Sequence, residues 1–332
     1  MNRAAVRDLL PALAQKRILV VGDLILDEFV WGKVSRISPE APVPVVEVSS
    51  ESYFPGGAAN VARNLRAFAR EVFVLGVTGD CQHARLLKSL LAGDGIRTDA
   101  IQSDAAYQTI VKTRIIARQQ HVVRIDREKP VPLRPEHSAA ALRHLEALLP
   151  EVDAVIVEDY GKGLLSQNLV DSICDMTHRA GKILAVDPNP KNPLQWRHLS
   201  VIKPNRSEAF ASAGLPPSEP VDPPSEDPQL LAVGRCLMEK WAPENLLVTL
   251  GEQGVLLFGK DSAPYHAPTR AREVFDVSGA GDTVIALFTL ALSAGIPAHQ
   301  AAELANHASG VVVGKLGTAT VSPEELLASF DS

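Results

Sequence analysis

Short apolar runs that end in polar residues recur along this chain, and they constrain its fold more than any other feature. The first run covers residues 18–21 and is followed by Gly22 and Asp23. Similar runs cover residues 154–157, 183–186, 201–203 and 246–250, and helical patterns separate them. Apolar runs of this length are typical of strands buried on both faces. We therefore predict an α/β fold with a doubly wound, mostly parallel sheet and polar residues at the strand ends.

Two segments rich in strand-forming residues interrupt this order. Residues 34–51 contain three prolines, which belong on edge strands, among several valines. Residues 107–126 contain two β-rich stretches, with a turn predicted at Gln119–Gln120. Together they predict a small second sheet, formed by about residues 33–52 and 106–126. We expect this sheet to act as a lid, as a dimer surface, or as both.

Composition narrows the class of protein. The chain has 332 residues and 46% hydrophobic content, which is enough for a large core. The net charge of -6 argues against a nucleic-acid surface or a polybasic membrane patch. The three cysteines lack metal-site spacing, and no run reads as a signal peptide or a membrane span. The proline-rich residues 216–228 are typical of a surface loop and not of a domain linker, so we expect one domain over residues 1–332. From the charge and the absence of targeting segments, we expect a cytoplasmic protein without nucleic-acid or membrane partners.

Two aspartates flank a stretch of small residues near the end of the chain, where Gly279, Ala280 and Gly281 precede Asp282. The apolar pattern that follows predicts a helix, so the small residues should expose backbone N–H groups that bind an anion. A carboxylate beside an anion site is costly unless chemistry uses it. Asp282 is therefore a candidate general base for a hydroxyl that attacks a bound phosphoryl group. The alternative is an ordinary helix start, in which Asp282 interacts with the helix dipole.

Several residues in the first fifth of the chain are candidates for binding a ligand. Asp23 and Asp27 follow a predicted buried strand, where ligands bind in open α/β sheets; a turn-capping role is the alternative for each. Gly56 and Gly57 lead into a predicted helix and allow a ligand to approach the backbone closely. Asn60 can both donate and accept hydrogen bonds, which suits sugar hydroxyls.

A basic strand face lies in the second β-rich segment. Lys112 and Arg114 are two residues apart, so they point to the same face of the predicted strand. This face is a candidate site for a substrate phosphate, and the alternative is a solvated strand face.

A polar cluster follows the strand at residues 201–203. Asn205 and Glu208 are three residues apart at a predicted helix start. Glu208 is a candidate to hold Mg²⁺ through water, because Mg²⁺ prefers carboxylates and keeps several waters. Considered alone, the pair is more typical of a capping box, in which each side chain bonds to the other residue's backbone.

These pieces, in this order, resemble the ribokinase-like, or PfkB-type, carbohydrate kinases over nearly the whole chain. The resemblance rests on the first strand and on Gly-Gly-Ala-Ala-Asn at 56–60, Asn-Arg-Ser-Glu at 205–208 and Asp-Val-Ser-Gly-Ala-Gly-Asp-Thr at 276–283. It implies transfer of a phosphoryl group from Mg²⁺-ATP to a sugar hydroxyl. Asp282 would be the base, and Gly279, Ala280 and Gly281 would form the anion hole. The implied nucleotide-site residues are Asn205, Arg206, Ser207, Glu208, Thr249, Gly251, Gly254 and Asn306. The residues expected to face the sugar are Asp23, Asp27, Gly56, Gly57 and Asn60.

Within this family, the similarity is greatest to kinases of D-glycero-β-D-manno-heptose 7-phosphate. It rests on residues 22–27, on Trp31-Gly32 and on Arg-Ile-Ser-Pro-Glu-Ala-Pro-Val-Pro-Val at 36–45. The resemblance implies phosphorylation of the anomeric 1-hydroxyl on the route to ADP-heptose and the lipopolysaccharide core, with Lys112 and Arg114 near the 7-phosphate. It also implies a stand-alone kinase, and family members often bind a monovalent cation. We expect a homodimer that forms through the small sheet. The alternatives are another sugar kinase, such as a ribokinase or fructokinase, and a non-catalytic regulator on the same fold.

Overall fold

The computed structural model describes residues 1–118, 120–260, 262–270 and 275–331. The strands in these ranges are β1 (Arg17–Gly22), β2 (Leu24–Ile37), β3 (Pro44–Gly57), β4 (Glu71–Thr78), β5 (Ile101–Ser103), β6 (Ile110–Ala117), β7 (Gln120–Arg127), β8 (Ala154–Glu158), β9 (Ile183–Asp187), β10 (Val201–Ile202), β11 (Asn245–Thr249), β12 (Val255–Gly259) and β13 (Tyr265–Ala267). The α-helices are α1 (Arg3–Leu13), α2 (Ala58–Arg66), α3 (Gln82–Gly93), α4 (Pro135–Leu148), α5 (Gln167–Arg179), α6 (Arg206–Ala213), α7 (Pro228–Trp241), α8 (Ala280–Ser293), α9 (Ala298–Val312) and α10 (Pro323–Ser329).

The larger sheet has nine strands in the order β13-β12-β11-β10-β9-β8-β1-β4-β5. Its neighbouring strands run parallel except at one end, where β12 is antiparallel to both β11 and β13. The predicted α/β fold with a mostly parallel sheet is therefore confirmed. In the order of this sheet β8, β9 and β10 are adjacent, so the residues that follow them meet at one edge.

Helices cover both faces of this sheet, which explains why its strands are continuously apolar. In β1, Ile18 and Val20 pack into one core, while Leu19 and Val21 pack into the other. The first core also contains side chains of α1, α2, α3, α8, α9 and α10, and the second contains those of α4, α5, α6 and α7. Helix α8 is apolar around most of its circumference and is buried from Asp282 to Ala291, as expected for a helix at the centre of a core.

The smaller sheet has four strands in the order β3-β2-β6-β7, which confirms the predicted second sheet. Its two long strands extend closer to the main body than predicted, because β2 begins at Leu24 and β3 ends at Gly57. The buried half of β2, residues 24–29, contains the acids Asp27 and Glu28 beside four apolar residues, so it lacks the regular alternation by which a strand is predicted from sequence. Gln120 begins β7, whereas Gln119, the other half of the predicted turn, lies outside the described residues.

Within the part of the chain that the structure describes, no helix combines the length and the apolar character needed to cross a membrane.

Candidate active site

Asp282 lies in the first turn of α8, where its side chain is buried and 8% exposed. The side-chain amide of Asn60 donates to Oδ2 of Asp282 at 2.8 Å, and the hydroxyl of Tyr160 donates to Oδ1 at 2.9 Å. Burial raises the pKa of Asp282, and these two hydrogen bonds offset part of that rise. The carboxylate thus has a fixed orientation and an increased affinity for a proton, two properties required of a general base.

The small residues before Asp282 allow two polar side chains to approach the helix start. Gly279 has a φ of 80°, and a Cβ at this position would lie 2.6 Å from Nδ2 of Asn60. A Cβ on Gly281 would lie 3.2 Å from Nζ of Lys203. A larger residue at Gly279 would therefore be strained and would displace Asn60 from Asp282.

A cavity of about 850 Å³ opens beside this helix start. Eight of the predicted catalytic and nucleotide-site residues line it, namely Asn205, Glu208, Thr249, Gly251, Gly254, Ala280, Gly281 and Asn306. The other four, Gly279, Asp282, Arg206 and Ser207, are not among its lining residues in the described part of the chain. Arg206 instead forms an ion pair of 2.8 Å with Asp227, so its guanidinium holds the loop before α7.

Asn205 and Glu208 form the capping box that their spacing favoured. The side chain of Asn205 accepts a hydrogen bond from the backbone N–H of Glu208 at 2.9 Å. Oε2 of Glu208 accepts one from the backbone N–H of Asn205 at 2.8 Å. Both residues also line the cavity, so the capping box holds them at the cavity wall. Metal binding by Glu208 stays a prediction.

Charged residues at three adjacent strand ends come together beside the cavity, and two of them, Asp187 and Lys203, line it. Asp187 ends β9 and pairs with Nζ of Lys203 at 2.8 Å. Glu158 ends β8, is 0% exposed, and has no hydrogen-bond partner for either carboxylate oxygen among the described residues. Glu158, Asp187 and Asp282 each place an oxygen within 4.8 Å of the others. In the described ranges this is the one group of such side chains placed to share a metal ion.

Burial and mutual repulsion shift the pKa values of these groups. Burial raises the pKa of Asp187 to about 6, although Lys203 opposes the rise. The pKa of Glu158 lies well above its ordinary value because of burial and because Asp187 and Asp282 repel its charge. Burial lowers the pKa of Lys203, but the combined attraction of Asp187, Glu158 and Glu208 outweighs this effect, so the pKa is raised.

The predicted site residues did not include Glu158, Tyr160, Asp187 or Lys203. The signal in each case is a polar residue at or just after a short apolar run. That signal becomes specific only when the order of strands in the sheet is known.

Asp23 holds the loop that follows β8. Its Oδ2 accepts hydrogen bonds from the backbone N–H groups of Tyr160 and Lys162, both at 3.1 Å, and its Oδ1 accepts one from Leu164 at 3.4 Å. Asp23 therefore caps backbone N–H groups, as the alternative interpretation proposed, but the loop that it caps is distant in sequence. Asn60, which bonds to Asp282, is 0% exposed. Contact of Asp23 or Asn60 with a sugar stays a prediction.

The other residues that were predicted to face the sugar or its phosphate lie at the base of the small sheet. Asp27 forms an ion pair with Arg114, and a Cβ on Gly56 would lie 2.1 Å from the Asp27 carboxylate. Nζ of Lys112 lies 5.7 Å from the centre of the Tyr160 ring, and burial lowers the pKa of Lys112. The structure thus places Lys112 and Arg114 on the same side of the sheet as Asp27, with Tyr160 between Lys112 and Asp282. Gly57, with a φ of 58°, precedes α2.

Comparison with known proteins gives a consistent result. The model of the pfkB family carbohydrate kinases matches residues 15–325. The bifunctional protein HldE of Desulfatibacillum aliphaticivorans is 42% identical over 314 residues, covering 95% of this chain and 63% of that protein. The bifunctional protein HldE of Methylococcus capsulatus is 43% identical over 324 residues, covering 96% of this chain and 64% of that protein. The chain therefore spans less than two thirds of the length of these relatives.

Solved structures with the same fold include sugar and sugar-phosphate kinases. Arabidopsis thaliana ribokinase complexed with ribose and ATP superposes with a TM-score of 0.71 at 17% identity, covering 96% of this chain and 99% of that one. Phosphofructokinase-2 of Escherichia coli, in complex with potassium, superposes with a TM-score of 0.74 at 16% identity and the same two coverages. At these identities the similarity shows the fold alone.

The ion pair on the cavity floor leads to a testable prediction. We expect Lys203→Met to lower the free energy of unfolding by up to about 3–5 kcal/mol at pH 8, because it leaves Asp187, whose side chain is only 19% exposed, without its cation. Since the pKa of Asp187 is about 6, lowering the pH to 5 should protonate it and reduce this loss. Urea unfolding in metal-free buffer measures both values. Lys33→Met, at a side chain that is 67% exposed, is the control and should have little effect. An equal loss at both pH values would contradict the assignment.

Proposed function

Because the chain belongs to the pfkB family of carbohydrate kinases, we propose that it phosphorylates the anomeric 1-hydroxyl of D-glycero-β-D-manno-heptose 7-phosphate, with ATP as donor. The family makes it a sugar kinase, that is, a phosphotransferase with an alcohol group as acceptor. The product would be the 1,7-bisphosphate, which the sequence resemblance connects to ADP-heptose and the lipopolysaccharide core. The HldE relatives, at about two fifths identity, support this choice of acceptor.

One observation favours a phosphorylated acceptor over a neutral sugar. Lys112 and Arg114 lie on the side of Asp282 that faces the small sheet, and Lys112 reaches the ring of Tyr160, whose hydroxyl binds Asp282. A sugar whose hydroxyl meets Asp282 can therefore place a distant phosphate near these two cations. Lys162 adds a third positive charge close to Lys112, where its Nζ pairs with Glu128 at 2.7 Å.

The proposed chemistry follows from the groups around Asp282. Its carboxylate takes the proton from the acceptor hydroxyl as the oxygen attacks the transferred phosphoryl group. The backbone N–H groups at the start of α8 and the Lys203 ammonium stabilise the negative charge on that group. Asn60 and Tyr160 hold the carboxylate in place, so little reorganisation is needed during the reaction.

The cavity beside Asp282 fits ATP and a divalent cation. Glu158, Asp187 and Asp282 place oxygens within 4.8 Å of one another beside the amine of Lys203, and the oxygens of Glu158 lack hydrogen-bond partners among the described residues, so a cation would balance the charge. Asp187 and, through water, Glu208 would hold Mg²⁺, since both carboxylates line the cavity. When bound, Mg²⁺ neutralises charge on the nucleotide phosphates. We also propose that a monovalent cation site lies near the anion hole, as in other family members.

We further propose that the small sheet forms the contact of a homodimer and covers the acceptor. This sheet exposes Val48, Val123 and Ile125, which are 57%, 47% and 41% exposed. Burying these side chains against a second copy would remove apolar surface from water.

Turnover across a panel of acceptors tests the proposed function. Purified protein with Mg²⁺-ATP is given heptose 7-phosphate, ribose, fructose and fructose 6-phosphate, and ³¹P NMR locates the new phosphate. We expect the heptose phosphate to be preferred and a phosphate to appear at its anomeric carbon. Phosphorylation of ribose or fructose, but not of the heptose phosphate, would favour the alternative sugar kinases. No turnover of any acceptor would favour a binding regulator.

Substitution of the proposed base gives a second prediction. We expect Asp282→Asn to lower kcat by about a thousand-fold or more while ATP still binds, because general base catalysis contributes about 10² to 10⁴. Steady-state kinetics and calorimetric titration with ATP measure the two effects. Asp80→Asn, at a side chain that is 67% exposed, is the matched control. Near-normal kcat in Asp282→Asn would show that another group is the base.

The basic face gives a third prediction. We expect Lys112→Ala to raise KM for heptose 7-phosphate by about tenfold or more and to change KM for ATP little, because a bond between charged groups is lost on the acceptor side only. Lys33→Ala provides a control on an exposed part of the same sheet. An unchanged KM for the acceptor would remove Lys112 from the phosphate site.

A further inference from the structure

We propose that Tyr160 is a positioning residue for the reaction: its hydroxyl holds one oxygen of Asp282 and so fixes the orientation of the base. This inference deepens the proposed function and rests on it. Neither the sequence motifs nor the family match assigns a role to this side chain, which lies just after β8.

The geometry at Asp282 carries the inference. The two oxygens of its carboxylate have separate donors, with Tyr160 on Oδ1 at 2.9 Å and Asn60 on Oδ2 at 2.8 Å. The donors come from different parts of the chain, since Asn60 lies in the first turn of α2. Two donors at opposite oxygens determine the plane of a carboxylate, whereas one donor leaves it free to rotate about its Cβ–Cγ bond.

The loop that carries Tyr160 is held independently of its hydroxyl. Asp23 accepts hydrogen bonds from the backbone N–H groups of Tyr160 and Lys162, each at 3.1 Å. Asp159 accepts one from the backbone N–H of Gly161 at 2.8 Å and two from the side chain of Asn192, at 3.0 and 3.2 Å. The phenol is therefore presented to Asp282 by a loop that is already ordered, so removal of the hydroxyl should leave the backbone in place.

Tyr160 is suited to act as a donor and not as a second base. Burial raises the pKa of its hydroxyl well above the ordinary value, and the nearby charge of Asp282 raises it further. The hydroxyl therefore stays protonated at the pH values at which Asp282 must be ionised. Tyr160 also lines the large cavity, and Nζ of Lys112 lies 5.7 Å from its ring centre, so the residue stands between the two proposed substrate sites.

The substitution Tyr160→Phe separates positioning from support of the fold. It removes the hydrogen bond to Asp282 and keeps the ring, and so keeps the contact with Lys112. We expect kcat for the acceptor preferred in the panel to fall by about 10- to 100-fold, the effect of losing a hydrogen bond to a charged group. We expect KM for both substrates to stay within about twofold, because uniform binding is unchanged. Tyr53→Phe is the matched control, since the Tyr53 hydroxyl bonds to Glu51 on the small sheet.

A double-mutant cycle distinguishes positioning of Asp282 from a purely structural role of Tyr160. It measures whether the effect of Tyr160→Phe depends on the Asp282 carboxylate. In the Asp282→Asn background, we expect Tyr160→Phe to change the residual turnover by less than about twofold, because a group that acts through Asp282 has nothing left to position. Turnover of Tyr160→Phe within about twofold of wild type would overturn the inference. So would the same large loss in the presence and in the absence of the Asp282 carboxylate.

Failure of this inference can be distinguished from failure of the proposed function. The wild-type protein is assayed first against the acceptor panel, and its turnover alone decides the proposed function. The Tyr160 variants are then compared using whichever acceptor the wild-type protein phosphorylates. Circular dichroism spectra and thermal melts of each variant verify that the folded state is retained.

Discussion

A carboxylate buried at the start of a buried helix sets the requirements for the rest of this site. Removing the charge of Asp282 from water is costly, and the hydrogen bonds from Asn60 and Tyr160 recover part of that cost. One donor belongs to α2 and the other to the loop after β8. The site therefore depends on three separate segments meeting with an accuracy of a few tenths of an ångström. Their packing on the central sheet supplies this accuracy, since α2 and α8 share one core.

The order of strands in the main sheet explains the concentration of charge beside Asp282. Because β8, β9 and β10 are neighbours, the polar residues at their ends come together without any long-range motif in the sequence. Glu158 and Asp187 bring two carboxylates, and Lys203 brings one amine. A fold that gathers more negative than positive groups in a partly closed cavity favours cationic or metal-bound ligands. The charged groups beside Asp282 thus depend on the order of the strands as much as on the start of α8.

Features that are local in the chain were predictable, and features that depend on distant segments were not. The helix start at residues 279–282 and the capping box at residues 205–208 each involve a few successive residues. Asp23 could be placed at a strand end, but its partners lie 137 to 141 residues further along the chain. The hydrogen bond from Tyr160 to Asp282 likewise spans 122 residues. The extent of β2 was underestimated because its first half is buried like a core strand and its second half is exposed.

Strand β2 is buried at its beginning and more exposed at its end, and this arrangement affects the direction of the small sheet. At about 3.3 Å per residue, its 14 residues form a ribbon roughly 45 Å long, anchored at one end in the core and free at the other. The register with β3 shifts between Trp31 and Gly32 and again between Val34 and Arg36. Such irregularities increase the local twist and bend of a strand, so they set the direction in which the outer part of the ribbon leaves the main body. Asp27 lies on the anchored side of both bends. The direction of the outer ribbon is therefore set beyond Asp27, which keeps its ion pair with Arg114 at the base of the small sheet.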